Sequence, residues 1–392
     1  MPSLRILCPA LLSLMLLSGC GQRYKLHREE LGSSVCYGPG QGLSQPEAVG
    51  FSGKLDIVWE RGTAGKPAGP LSLCHNMLVL PETKKRLKFF DIATGRYRGK
   101  INAKGVPQSG VVIVDSLGMY GISPRKGKIY GVDLLRRKRV WEQQVKDALA
   151  GPILENNRLY MSSGNGVLQA LDPIDGTVYW QYRSDTRFAA SARPGFGRLY
   201  QPADRGVLIA VSADDGREEF RVTLNGPLTG PVVVAGERVY SGDVYGNVYA
   251  LAPEDGRIIW RTSIDGPIWS SPTVSGSLVL VGQTAGYLVA LDAASGEIIW
   301  RYDAGEVIRV SPLVIGDIVV VGTMAGRVIT LDVNTGAQIA VRELKGGIMY
   351  PPISDGQYVM VATQAGKIVC FGEPYEQRSH ADQGIVSQHQ SE

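Results

Sequence analysis

Five glycines, Gly176, Gly216, Gly256, Gly296 and Gly336, stand 40 residues apart. Four residues after the first four of them comes a large aromatic: Trp180, Phe220, Trp260 and Trp300. A period of this length means one supersecondary unit copied along the chain, each copy unable to bury its apolar face without a neighbour. The copy that starts at Ser271 shows what the unit is. It runs Ser-Pro-Thr-Val, Gly276, Leu278-Val-Leu-Val-Gly282, Gln-Thr-Ala-Gly286, Tyr287-Leu-Val-Ala-Leu-Asp292, Ala-Ala-Ser-Gly296, Glu297-Ile-Ile-Trp300. Its short runs of Val, Ile and Leu are separated by turn residues, the pattern of antiparallel strands joined by tight turns. The second run is apolar at successive positions, so both of its faces must be covered. Short strands in a unit of this length point to an all-β chain, a β-propeller of four-stranded antiparallel blades.

Two registers give the number of blades. The third strands end near Asp91, Asp133, Asp172, Ser212, Ala252, Asp292, Asp332 and Phe371, which makes eight. The fourth strands show Gly99, Trp141, Trp180, Phe220, Trp260, Trp300 and Ala340 in one slot, which makes seven. The missing fourth strand is at the other end of the chain, where Lys54-Leu-Asp-Ile-Val-Trp59 reads as an outer strand with none before it. Pairing it with residues 350–372 closes an eight-bladed ring and leaves no open blade end. The propeller is expected to span 53–372. Residues 20–52, rich in Gly, Ser, Pro and Gln, read as a flexible tether of roughly 30 Å r.m.s. span. Residues 373–392 read as a disordered polar tail.

A large aromatic beside a turn glycine in each outer strand reads as a packing knob between blades, at Trp59, Trp141, Trp180, Phe220, Trp260 and Trp300. Gly99 and Ala340 lack the knob, which predicts looser junctions there. Trp269 lies before an inner strand, towards the channel mouth, as either a ligand platform or a rim residue. Tyr245, Tyr287 and Tyr350 are the other rim aromatics that a ligand-binding propeller would use.

Arg5, the apolar stretch from Ile6 to Leu17 and the run Leu17-Ser-Gly-Cys20 form a secretory signal, residues 1–19, ending in a lipobox. Small residues before Cys20 admit the signal peptidase, and the Cys20 thiol is the expected lipid attachment point. The mature chain is therefore expected to be anchored in the cell envelope with its folded part outside the cytoplasm. Gly21, in place of an aspartate, resembles lipoproteins released to the outer membrane. An exported lipoprotein has no nucleic acid to bind.

The formal net charge is +4, and Arg5 leaves with the signal, so charge alone excludes neither acidic nor basic partners. The basic clusters are in the first two blades. Lys84, Lys85 and Arg86, with Arg125 and Lys126, fall in turns between second and third strands. Arg136-Arg-Lys-Arg139 falls in a turn between third and fourth strands, on the opposite rim. These residues read either as contacts for anionic lipid headgroups or as solvated turns. Cys36, Cys74 and Cys370 permit one disulfide at most, and the spacing assigns no pair. Chemistry-bearing motifs are missing from the sequence: there is no His-x-x-x-His, Cys-x-x-Cys, Gly-x-Ser-x-Gly or phosphate loop. The sequence offers no catalytic residue and no metal ligand set, and the strand-end aspartates read as turn caps.

The run Ala290-Leu-Asp292, Gly296, Trp300, repeated with drift from residue 91 to 336, resembles the quinoprotein-type (PQQ-like) β-propeller repeat. Quinoprotein dehydrogenases of this superfamily hold pyrroloquinoline quinone over Ca²⁺, usually beside a disulfide between adjacent cysteines and under long insertions. This chain has no Cys-Cys pair and keeps its repeats at 40 residues, so no PQQ is expected. The lipobox, eight compact blades and short tether resemble the BamB-type lipoproteins of the outer-membrane β-barrel assembly machinery. That resemblance implies a non-enzymatic periplasmic scaffold whose rim loops dock a subunit of the assembly complex. Arg187 is the candidate for a basic docking contact, against a plain loop arginine, and Phe188 and Trp269 are the other candidates for docking a partner. The loop Thr223–Gly230 is shorter than its counterpart in that family, where it adds acidic contacts. A PQQ-dependent oxidoreductase and a polysaccharide-binding propeller are the competing readings.

Overall fold

The computed structural model describes residues 50–122, 127–146 and 151–373. The segment read as a signal, the expected lipid attachment point Cys20, most of the segment read as a tether, Arg125, Lys126 and nearly all of the segment read as a tail lie outside the described residues. The strands form eight four-stranded antiparallel sheets. Seven are meanders of consecutive strands, at 72–102, 112–144, 153–183, 193–223, 233–263, 273–303 and 313–343, here blades 1 to 7. Blade 8 takes three strands from 353–371 and its fourth from Ile57–Gly62, so the two ends of the propeller share one sheet. The outer strand starts at Ile57 rather than Lys54, and Leu55 and Asp56 are the approach to it. A short 3₁₀ turn at Asp204–Gly206 is the one helical element among the described residues. No helix among them is long and apolar enough to cross a membrane.

Burial follows the position of each strand in its blade. In blade 6 the second strand, Leu278–Gly282, is buried at all five residues, and the third, Tyr287–Asp292, at its four central ones. The fourth strand, Ile298–Asp303, alternates and turns only Trp300 fully inward. A one-residue bulge precedes this aromatic. Ala290 pairs with Trp300 and Leu291 with Ile298, so Ile299 is left over and exposed. The same register shift recurs in blades 1 to 5 and 7. A bulge bends a strand and re-aims the side chain beside it; here that side chain is swung towards the next blade.

The indole of Trp260 lies against Gly296, the turn glycine of the following blade. A Cβ on Gly296 would come within 2.6 Å of the ring, and its φ of +76 is itself a glycine conformation. The ring N–H donates to Ala293 O at 3.0 Å. Trp59, Trp141, Trp180 and Trp300 repeat both contacts, donating to Ile92, Pro173, Ala213 and Val333 O. Phe220 packs against Gly256 without a donor. The slots without an aromatic are not loose. Around Ala340, Phe51 and Leu55 from the N-terminal segment join the core between blades 7 and 8, while Thr330 Oγ1 donates to Gly53 O at 2.6 Å. Opposite Gly99, Phe89 is fully buried in a core shared with Tyr120 and Tyr130. Local size at one slot is thus offset by residues that the repeat pattern does not align with it.

Cys74, in the first strand of blade 1, is disulfide-bonded, and Cys370 is a free buried thiol. These two cysteines are therefore not paired with each other.

The aspartates that end the third strands cap their turns. Asp292 Oδ1 accepts from Ala294 N and Ser295 N at 2.9 and 2.7 Å, and Asp332 Oδ1 from Asn334 N and Thr335 N at 3.0 and 2.8 Å. The Ser295 N–H holds the Asp292 carboxyl below its ordinary range, and the Thr335 hydroxyl does the same for Asp332. Asp172 is lowered chiefly by the Tyr179 hydroxyl. A depressed folded-state pKa gives stability that is present above the unfolded value and lost as pH falls through the folded one. The melting temperature is therefore expected to hold from pH 7 to about pH 5 and to fall below about pH 4, as a calorimetric pH series would show. Asp292→Asn should flatten that fall.

Candidate interaction face

One face of the ring is built from two kinds of loop. Where it is described throughout, the connection leaving a blade folds over the turn between that blade's second and third strands, then reaches the equivalent turn of the next blade. Between blades 3 and 4 this is Ser184 N to Gly166 O and Asp204 N to Arg187 O, both 2.8 Å. Between blades 6 and 7 it is Ala304 N to Gly286 O and Met324 N to Val307 O, both 2.9 Å. Backbone bonds of this kind fix the loops, so side chains on them are presented from a rigid frame. The close fit needs glycine beneath: a Cβ on Gly166 would sit 2.4 Å from Thr186 O.

Arg187 is exposed on this face, with its Nε donating to Gly164 O at 3.2 Å. Phe188 is not beside it on the surface. It bridges to Ala203 and belongs to the core of blades 3 and 4 with 2 % exposure, which corrects its reading as a contact residue. The cause is local: residues 187 and 188 are extended, so adjacent side chains point to opposite sides. Trp269 is 42 % exposed and the Arg309 guanidinium stacks over it at 4.8 Å, an arrangement worth about 0.5–1 kcal/mol at an exposed site. One side of the ring is therefore covered by a cation, which leaves a charged, flat surface instead of a bare stacking platform. Tyr245 is 66 % exposed on a neighbouring turn, and Tyr287 is exposed to a lesser degree. Lys84 and Lys85 are exposed on the same face at blade 1, whereas Arg86 has entered the third strand and is half-buried. Arg136 and Arg137 lie on the opposite rim, so the basic residues form no common patch.

The acidic side chains of the loop face are largely engaged. Asp243 is fully buried and accepts from Tyr245 N, Asn247 N, Asn247 Nδ2 and Tyr249 OH at 2.7 to 3.2 Å. Glu306 accepts from Thr323 Oγ1 at 2.7 Å. Glu82 is fully buried and its Oε1 is held by Lys88 Nζ at 2.7 Å. Among the described residues no group of three or more His, Cys, Asp or Glu is placed to hold a metal ion.

Two features of the structure were not singled out from the sequence, although Tyr350 in the second of them was. Arg193 is on the innermost strand of blade 4, where the other blades carry Ser72, Val112, Ile153, Val233, Thr273, Leu313 and Ile353. Its Nη1 is shut off without a hydrogen-bond partner, and burial pulls its pKa down to about 10. A cleft of about 240 Å³ between blades 8 and 1 is lined by Lys66, Thr83, Tyr350, Thr363 and Gln364 with three apolar residues. Aligning the repeats position by position would have flagged both, since each depends on one residue departing from its equivalents.

Comparison with known proteins places this architecture. The family described as outer membrane protein assembly factor BamB matches residues 125–220 and 204–381. The crystal structure of BamB from Moraxella catarrhalis superposes with a TM-score of 0.70 at 17 % identity, covering 82 % of this chain and 100 % of that one. Quinohemoprotein alcohol dehydrogenase from Comamonas testosteroni superposes with a TM-score of 0.72 at 12 % identity, over 84 % of this chain and 79 % of that one. The computationally designed protein Ika8 gives 0.70 at 13 % identity, over 82 % and 100 %. At such identities these structures share the fold alone. No curated protein matches the chain.

Proposed function

The chain belongs to the family of outer membrane protein assembly factor BamB, and from that premise we propose that it is a non-enzymatic, lipid-anchored scaffold on the periplasmic side of the outer membrane, aiding insertion of β-barrel proteins. The observation that carries this reading is the rigid loop face with its exposed contact residues, Arg187, the Arg309–Trp269 stack and Tyr245, set on a family-matched propeller. Aromatic and arginine side chains presented from a fixed backbone are the residue types that dominate protein interfaces. The partner is a periplasmic domain of the barrel-assembly complex, and Cys20 supplies the membrane attachment.

The quinone reading is disfavoured by the donor set. A calcium ion under pyrroloquinoline quinone needs unengaged oxygen ligands, while Asp243 and Glu306 are committed to hydrogen bonds within the protein and Glu82 is buried and paired through its Oε1 with Lys88. The sequence also has no adjacent cysteine pair. No chemical step is assigned to this chain.

The test is a mild-detergent pull-down from native membranes with mass spectrometry of the bound proteins. The wild-type chain is expected to recover subunits of the barrel-assembly complex. Arg187→Glu combined with Trp269→Ala should lower that recovery about tenfold or more, since each removes a contact of a kind that costs about 1–2 kcal/mol or more at an interface, with only a small fall in melting temperature from the lost Arg309–Trp269 stack and Arg187 hydrogen bond. Recovery of the same subunits in the double variant at wild-type yield would remove the loop face from the proposal. Absorbance of a bound quinone after reconstitution with PQQ and Ca²⁺ would overturn the non-enzymatic reading.

A further inference from the structure

The repeats allow the cleft between blades 8 and 1 to be compared with the same position one blade earlier. There Thr323, at the end of the second strand of blade 7, is fully buried, and its Oγ1 donates to Glu306 Oε2 at 2.7 Å. Glu306 reaches it from the connection between blades 6 and 7. Forty residues on, Thr363 takes the place of Thr323 and Gly346 that of Glu306. Gly346 has no side chain to offer, and at its φ of +90 a Cβ would lie 2.6 Å from Ala365 N. Thr363 is as fully buried as Thr323, yet its Oγ1 has no hydrogen-bond partner. A buried hydroxyl without a partner is costly and calls for an explanation. Thr363 lines the cleft, whose other polar walls are Lys66, Thr83, Tyr350 and Gln364.

The exposed charge at the edge of the cleft is basic. Lys66 is exposed at its edge, and Lys84 follows Thr83, with its Cγ 3.1 Å from where a Cβ on Gly65 would lie. The nearby acid, Glu82, is buried, and its Oε1 is paired with Lys88 Nζ and accepts from Gly65 N at 3.3 Å, while its Oε2 has no hydrogen-bond partner. We propose that this cleft is a carboxylate-binding site, in which Thr363 Oγ1 donates to the incoming carboxylate as Thr323 Oγ1 does to Glu306, with Lys66 as the counter-charge. Tyr350 and Met349 take the apolar stem. A carboxylate fits better than a phosphate because the repeat supplies one hydroxyl donor and one flanking lysine, where a phosphate would present three oxygens to satisfy. The carboxylate comes either from an acidic side chain of a partner protein or from a free small dicarboxylate. The site does not depend on the scaffold reading.

The experiment is methyl NMR of the full chain, following Thr363 and Met349, during titration with N-acetyl-glutamate N-methylamide, with its glutamine counterpart and with glutarate. The glutamate compound is expected to shift both methyls saturably and the glutamine compound to leave them in place. Thr363→Val should weaken binding about tenfold, the worth of a hydrogen bond to a charged group, while keeping or raising the melting temperature because an unsatisfied hydroxyl is removed. Thr323→Val, which strips Glu306 of its donor, should instead lower the melting temperature. Lys66→Gln should weaken binding and flatten its salt dependence without touching the buried floor, so it decides the matter if Thr363→Val does not fold. Saturable binding of the glutamate compound with none by glutarate assigns the site to a partner side chain, and binding of both assigns it to small dicarboxylates as well. Absence of saturable shifts with either, or unchanged affinity in Lys66→Gln and Thr363→Val, overturns the proposal.

Discussion

Trp300→Ala is expected to destabilise the propeller by about 3–5 kcal/mol, the usual cost of truncating a buried tryptophan. The ring fills the gap between blades 6 and 7, in a core with Leu278, Leu280, Val319 and Ile329, and its N–H donates to Val333 O at 3.0 Å. Both losses fall on one residue: the apolar contact with the Gly336 turn, and a backbone carbonyl left without its donor. The glycine opposite cannot compensate, since it has no side chain to move into the cavity. Trp300→Phe separates the two effects. It retains most of the area and loses the donor, and should cost about 1 kcal/mol. Blade 4 already has this arrangement, with Phe220 against Gly256. Urea unfolding followed by tryptophan fluorescence and by circular dichroism would measure both variants. A loss below about 1 kcal/mol for Trp300→Ala would mean that blades are held chiefly by their central strands, and the outer aromatic would lose its assigned weight.

The same tryptophans explain why the fold was legible. A repeat displays each structural demand several times, so a glycine that must approach an indole and a bulge that must aim it appear as a 40-residue beat. Eight blades and closure by the first strand could be read from Asp91 through Phe371 and from Trp59 alone. What could not be read is what depends on single departures from the beat. Ala340 looked like a gap because nothing in its own repeat fills it; Phe51 and Leu55, nearly three hundred residues away in sequence, do. Phe188 looked like a surface residue because it follows Arg187 in a loop, while one extended residue is enough to put it in the core. The interaction face was legible only as a set of loops. The stacking of Arg309 on Trp269 joins side chains 40 residues apart on different connections, and the unpaired hydroxyl of Thr363 is defined by a side chain that Gly346 lacks. Periodicity reports what the repeats share, whereas a binding site on a ring of repeats is made from what they do not.

Ring closure concentrates the largest expected effect in the shortest segment. A chain shortened to begin at Thr63 loses the fourth strand of blade 8, the Trp59 contact with Gly95 and Ile92 O, and the Phe51 and Leu55 filling at Ala340. The strand Lys367–Phe371 then becomes an edge with its hydrogen-bonding groups unpaired, a template for association. The shortened chain is expected to be recovered as oligomers or aggregate instead of monomer. Cys370 gives a local reading of the same event. It pairs with Trp59 across the closure, is fully buried, and burial pushes its thiol pKa far up, so in the intact ring it has neither access nor thiolate. Alkylation of Cys370, quantified by peptide mass spectrometry, should be about a hundredfold faster or more in the shortened chain, as a site protected by the fold becomes an open edge. A synthetic peptide of residues 50–62 added in trans should slow it again by restoring the pairing. A monomeric shortened chain with unchanged melting temperature and unreactive Cys370 would show that the seven meanders and a three-stranded eighth blade hold the ring without a closing strand. The junction between blades 8 and 1 would then have to be secured by the cores around Leu71, Leu78 and Tyr358 alone.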